Sequence, residues 1–157
     1  MHMTGVSGAT GRVLYERRQK ESHRETVTYE IEMLDFCFDN LPQDRSCNRS
    51  NEYLLLEGFL LHYRNLLEFF SGKHHRAGYD ISMADSSTWG NRELGAAEIA
   101  AIVIPAKMLD RKYHQDISTY LQHCTLLRHE QTMSWDAAEM RKDIDPIIAE
   151  FARAFPS

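Results

Sequence analysis

The chain has 157 residues, of which 43% are hydrophobic and 26% charged, a globular balance that fits one domain and leaves little room for two. A chain of this length buries ~70% of its unfolded surface, so it needs neither disulfide nor metal to hold a core. Its formal net charge of -5 excludes a broad basic footprint for duplex nucleic acid, though not a local basic site.

The three cysteines, Cys37, Cys47 and Cys124, are odd in number and have no CxxC spacing. They argue against a secreted disulfide scaffold and for reduced thiols in a cytoplasm. No apolar run approaches ~18 residues, so no membrane span is expected. The opening MHMTGVSGATGR is small and polar, without the hydrophobic region of a signal peptide. Residues 1–21 are therefore expected to be a flexible segment ahead of one helical domain, 22–157.

The first strong element runs from about Ser22 to Leu41. Ser22 and Glu25 have capping-box spacing, and Val27, Ile31, Leu34, Phe38 and Leu41 recur at three- and four-residue steps. The charged piece before it, Tyr15 to Glu21, can extend this helix but has no matching apolar face. A second helix is expected from about Asn51 to Phe70, with Leu56, Phe59, Tyr63, Leu66 and Phe70 on one stripe. It is apolar around so much of its circumference that it belongs at the centre of a bundle. Ser71-Gly72 supplies its stop.

Residues 72 to 92 form a long polar connection, of a length usually found in functional or mobile loops. Leu94 to Ile104 reads as a short helix, although AIVI has strand character. Pro105 suits the first turn of a further helix carried by Leu109, Tyr113, Ile117, Tyr120, Cys124 and Leu127 to about Arg128. The last helix starts near Ser134, with Met140, Ile144, Ile147, Phe151 and Phe155 on one face. Pro146 should kink it, or restart it with Asp145 as cap. The expected fold is all-α: an antiparallel bundle of four main helices plus one shorter helix.

Two groups of residues could carry chemistry. His62, Arg64 and Asn65 cluster on the second helix, with Gly58 one turn before His62 leaving room for a close approach. Asp116, Thr119 and His123 share a face of the Pro105 helix, with Arg128 just over a turn beyond His123. Were His62 and His123 to face one another, two imidazoles flanked by Arg64, Asn65 and Asp116 could do acid–base work near neutral pH. The same groups could equally form a buried network that fixes helix register. His74-His75, with Asp80 and Asp85, are suitable ligand types, but HExxH and paired Glu-x-x-His motifs are absent, so neither metal nor cofactor is expected. Phosphate-loop, GxSxG and dinucleotide fingerprints are also absent.

From residue 52 onward the sequence resembles a group of bacterial all-helical proteins without an assigned activity. The resemblance rests on Phe59-Leu60-Leu61-His62-Tyr63-Arg64-Asn65-Leu66-Leu67-Glu68-Phe69, an FLLHxRNLxEF-like motif. It extends to Asp80 through Trp89, to His123-Cys124-Thr125 with Arg128, and to Trp135. That pattern often carries Asn five residues before the later histidine, where this chain has Ser118. The expected architecture is also similar to HEPN domains, helical bundles that include RNases of toxin–antitoxin and phage-defence systems. Their signature of arginine followed four to six residues later by histidine occurs here only at Arg17 or Arg18 with His23. The expected function is a helical binding or interaction module in a bacterial cytoplasm, acting as a homodimer or with a partner protein. The alternative is a HEPN-like ribonuclease or toxin acting on RNA. There, Arg64 would stabilise charge on phosphate while His62 and His123 move protons.

Overall fold

Helices carry the computed structural model, which describes residues 9–42, 49–73, 81–83, 86, 89, 93–122 and 134–156. They are α1 (Ala9–Asp39), α2 (Arg49–Phe70), α3 (Ala96–Leu109), α4 (Gln115–Gln122) and α5 (Ala137–Ala154), with a π-helical turn at Asp110–His114 joining α3 to α4. No strand occurs among the described residues. The all-α expectation holds.

Neighbouring helices run antiparallel. Phe38 and Phe59 pack as tilted rings with centroids 5.9 Å apart, while Glu30, two turns back along α1, meets His62 and Asn65, one to two turns on along α2. Tyr113 bonds Asp143 and Tyr120 meets Trp135, so the α3–α4 rod opposes α5. Asp35 pairs with Arg141 and Arg24 donates to the Phe155 carbonyl, which opposes α1 and α5. The core lies between them: Leu34, Phe59, Tyr63, Phe70, Ile102, Ile117, Met140 and Ile144 are almost wholly buried.

Four boundaries differ from the sequence expectation. Helix α1 begins at Ala9 and passes straight through Ser22, which is therefore no N-cap. The short helix expected before Pro105 and the long one after it form a single rod, with Pro105 inside α3. Burial of Ile102 and Ala106, on either side of Pro105, holds the rod in the core despite the missing N–H. Asp136 rather than Ser134 caps α5, its carboxylate accepting from the Glu139 amide at 2.9 Å. Helix α5 then runs unbroken through the exposed Pro146, and Asp145 pairs with Arg141 instead of capping a new helix.

Candidate functional site

Gly58 and Cys37 bring α1 and α2 together, because a Cβ at Gly58 would stand only 2.8 Å from the Cys37 sulfur. Burial raises the pKa of that thiol, which keeps it in the unreactive protonated form. One turn beyond Gly58, His62 is buried to 8% exposure against α1. Its Nδ1 lies 2.8 Å from Glu30 Oε2, and Asn65 Nδ2 donates to the same oxygen at 3.1 Å. A carboxylate only accepts, so the imidazole proton sits on Nδ1. The Tyr29 ring stands edge-on to His62 at 5.9 Å. The result is a small polar centre at the seam of two helices: one acceptor serving two donors, with an aromatic ring beside it.

Arg64 takes another direction. Its Nε lies 3.7 Å from Glu68, and Glu68 also receives His114 Nε2 at 2.7 Å, so this group ties α2 to the π turn. A helix advances ~100° per residue, which places Arg64 well around the cylinder from His62. The structure thus brings His62 and Asn65 together and directs Arg64 to separate neighbours.

The π turn is a polar junction. Its first residue, Asp110, is buried and pairs with Lys73. Lys112 reaches Asp143 at 2.9 Å and Glu139 at 3.2 Å, and its ammonium lies 4.6 Å from the centre of the Tyr113 ring. Tyr113 donates to Asp143 at 2.8 Å. Burial would raise the Asp143 pKa, but hydrogen bonds from Lys112 and Tyr113 and the charges of Lys112 and Lys142 outweigh it and hold it low. The wider turn aims Asp110, Lys112, Tyr113 and His114 at three different surroundings, a use to which π turns are often put. Asp116 lies on the exposed side of α4, where it lines an open cleft of about 420 Å³ with Lys112, Tyr113, Trp135 and Glu139.

Inside the bundle, Tyr63 is fully buried and its hydroxyl has no hydrogen-bond partner among the described residues. Burial, with the nearby Tyr113 and Asp143, drives its pKa far upward, so it stays neutral.

His123 and Arg128 lie outside the described residues, as do His74, His75, Asp80 and Asp85. Among the described residues, no group of three or more His, Cys, Asp or Glu side chains is arranged to hold a metal ion. None of the described helices is long and apolar enough to cross a membrane. Glu30 is the site residue that sequence reasoning missed. It stands between apolar positions of α1 and reads as solvent-facing until the register with α2 is known. Comparison with protein-family models, curated proteins and solved structures finds no match to this chain.

Proposed function

We propose that the chain is a cytoplasmic helical module that binds another protein through the outer face of α1 and α2. The supporting observation is a set of large apolar side chains left in solvent around the His62–Glu30–Asn65 centre. Tyr29 and Phe36 are 53% and 55% exposed, and Leu54 and Leu61 are 70% and 40% exposed. Each pair is seven residues apart, so each lies along one side of its helix. Both sides point away from the core lines through Val27 and Leu34 and through Leu56, Tyr63 and Phe70. The Tyr29–His62 ring contact joins the two lines across the seam.

At ~200 Å² for a whole large side chain, these four expose roughly 400 Å² of apolar surface. A standard interface covers ~800 Å² per partner, somewhat over half of it apolar. The face is therefore nearly the right size for one partner surface, itself an apolar helical face. The partner would also carry a polar group to meet the His62–Glu30–Asn65 centre, which gives the contact its register. Ile104 and Met108 form a smaller exposed apolar pair on α3.

A photoreactive amino acid placed at position 61 tests this in the producing cell, with position 142 on the exposed side of α5 as control. The reading expects a discrete protein adduct at 61 and none at 142. Adducts at neither position, or equally at both, would overturn it.

A further inference from the structure

The groove between α1 and α2 is bordered by carboxylates on both sides. A helix turns ~100° per residue, so Glu25, Glu32 and Asp39 stand ~40–80° around α1 from Tyr29, on the side away from Glu30 and the seam. All three are exposed. On α2, Glu57 stands ~40° around from Leu61, again on the side away from the seam. Among the described side chains of α1 and α2, both arginines are engaged elsewhere. Arg24 donates to the carbonyls of Phe155 and Pro156, and Arg64 pairs with Glu68.

The shape of the groove is that of a helix seat. Tyr29 and Phe36, like Leu54 and Leu61, are two turns apart, ~10.5 Å along their helix. Packed helices lie ~8–10 Å apart, so the two rows flank a trough into which a third helix can fit a ridge of side chains. An extended segment has no comparable seat, because two helices present no open strand edge to pair with. The His62 centre adds a polar preference. With its proton on Nδ1 toward Glu30, the imidazole keeps a lone pair on Nε2, so the seam favours a donor. Lys and Arg side chains are donors only.

From these features, and resting on the reading of the α1–α2 face given above, we infer that the partner docks through a basic amphipathic helix. Its apolar stripe lies in the trough over Tyr29, Phe36, Leu54 and Leu61, and its Lys and Arg side chains meet the carboxylate borders. The apolar rows supply affinity. The carboxylates choose the sign: they repel an acidic helix, anionic lipid headgroups and nucleic acid alike.

The probe is a synthetic amphipathic helix of about three heptads, leucine on one face and lysine beside it, labelled for fluorescence anisotropy. One control peptide carries glutamate in place of lysine. A second has the same composition as the probe, scrambled so that no apolar stripe forms. The full chain should bind the lysine peptide saturably below about 0.1 mM, and more weakly as salt rises. Both controls should bind at least ~10-fold more weakly, a comparison made on the wild-type chain without any variant. Glu25→Lys with Glu32→Lys should weaken the lysine peptide at least ~10-fold and strengthen the glutamate one. Glu139→Lys with Glu150→Lys, an equal change of charge on α5, should leave both affinities as in the wild type. Circular dichroism shows whether each variant keeps its helices.

No binding of the lysine peptide, or equal binding of either control, would overturn the inference. So would a loss from the α5 changes as large as that from the α1 changes, since net charge rather than this face would then govern binding. The position-61 adduct separates this inference from the reading beneath it. A protein adduct there, without preference for the lysine peptide, keeps the binding face and removes the basic helix. An adduct of twice the monomer mass makes the occupant a second copy and also removes it, while the absence of any adduct removes both.

Discussion

Gly58 of α2 faces the Cys37 sulfur of α1 so closely that an added Cβ would lie 2.8 Å from it. In an open helix, alanine is better than glycine by ~1 kcal/mol. Here the added carbon must displace a buried sulfur or part the helices, at ~1–3 kcal/mol. Gly58→Ala should therefore destabilise the fold by about 1 kcal/mol net. Cys37→Ala, which removes the obstructing atom, should restore much of that loss in the double variant. Urea midpoints of both single variants and the double check it. A Gly58→Ala chain more stable than wild type would show that the sulfur simply swings aside.

The His62 centre makes a coupling prediction. Glu30 holds both His62 and Asn65, so His62→Ala and Glu30→Ala should be non-additive by ~0.5–2 kcal/mol in a double-mutant cycle. Arg64 engages Glu68 instead, so His62→Ala and Arg64→Ala should add to within ~0.5 kcal/mol. Coupling in the second cycle as large as in the first would show that the two groups form one network.

Tyr63 offers a change that should help. Its hydroxyl is buried without a partner among the described residues, and such a group costs ~1–3 kcal/mol in lost hydration. Tyr63→Phe removes that cost and leaves only a small void against Phe59 and Tyr113. We expect stability unchanged or raised by up to ~2 kcal/mol, read from thermal unfolding. A loss above ~1 kcal/mol would mean that the hydroxyl finds a partner in solution, such as an ordered water.

Acid stability should depend on Asp143. Its folded pKa lies below the ordinary 3.8, so its contribution is fully present above that value and is lost as pH falls through the lower folded one. Asp35 acts in the opposite sense. Burial raises its pKa more than Arg141 lowers it, so its ionisation costs stability as pH rises above the ordinary value. Asp143→Asn should lower the melting temperature near neutral pH and flatten its fall below about pH 4. Parallel melting curves for variant and wild type through that range would remove Asp143 from the account.

Much of the core was legible before any coordinates. Val27, Ile31 and Leu34 on α1, and Phe59, Tyr63, Leu66 and Phe70 on α2, announce their faces because burial follows helical periodicity. What periodicity cannot see is structure without an apolar stripe. The charged Ala9–Ser22 stretch is helical in the structure, an extension that its sequence allows but cannot mark, while the cap-like pair Ser22 and Glu25 offers a false start. Pro105 misled for a related reason, and Pro146 starts no new helix. Local chemistry disfavours proline inside a helix, but packing of Ile102 and Ala106, and of Ile144 and Ile147, outweighs that preference. Glu30 was invisible because its role exists only between helices, and no single segment encodes it.

The π turn leaves the chain with an unusual intolerance of length change. Its extra residue sets the phase of everything after it, so α4 reaches the core through Ile117, which is fully buried. Deleting one residue from Asp110–His114 would turn α4 by ~100° against α3. Ile117 would leave the core and Asp116 would swing away from its cleft, although the composition of the chain would hardly change. Point substitutions along this rod are local events; a single-codon deletion here is a rotation of the whole segment that follows.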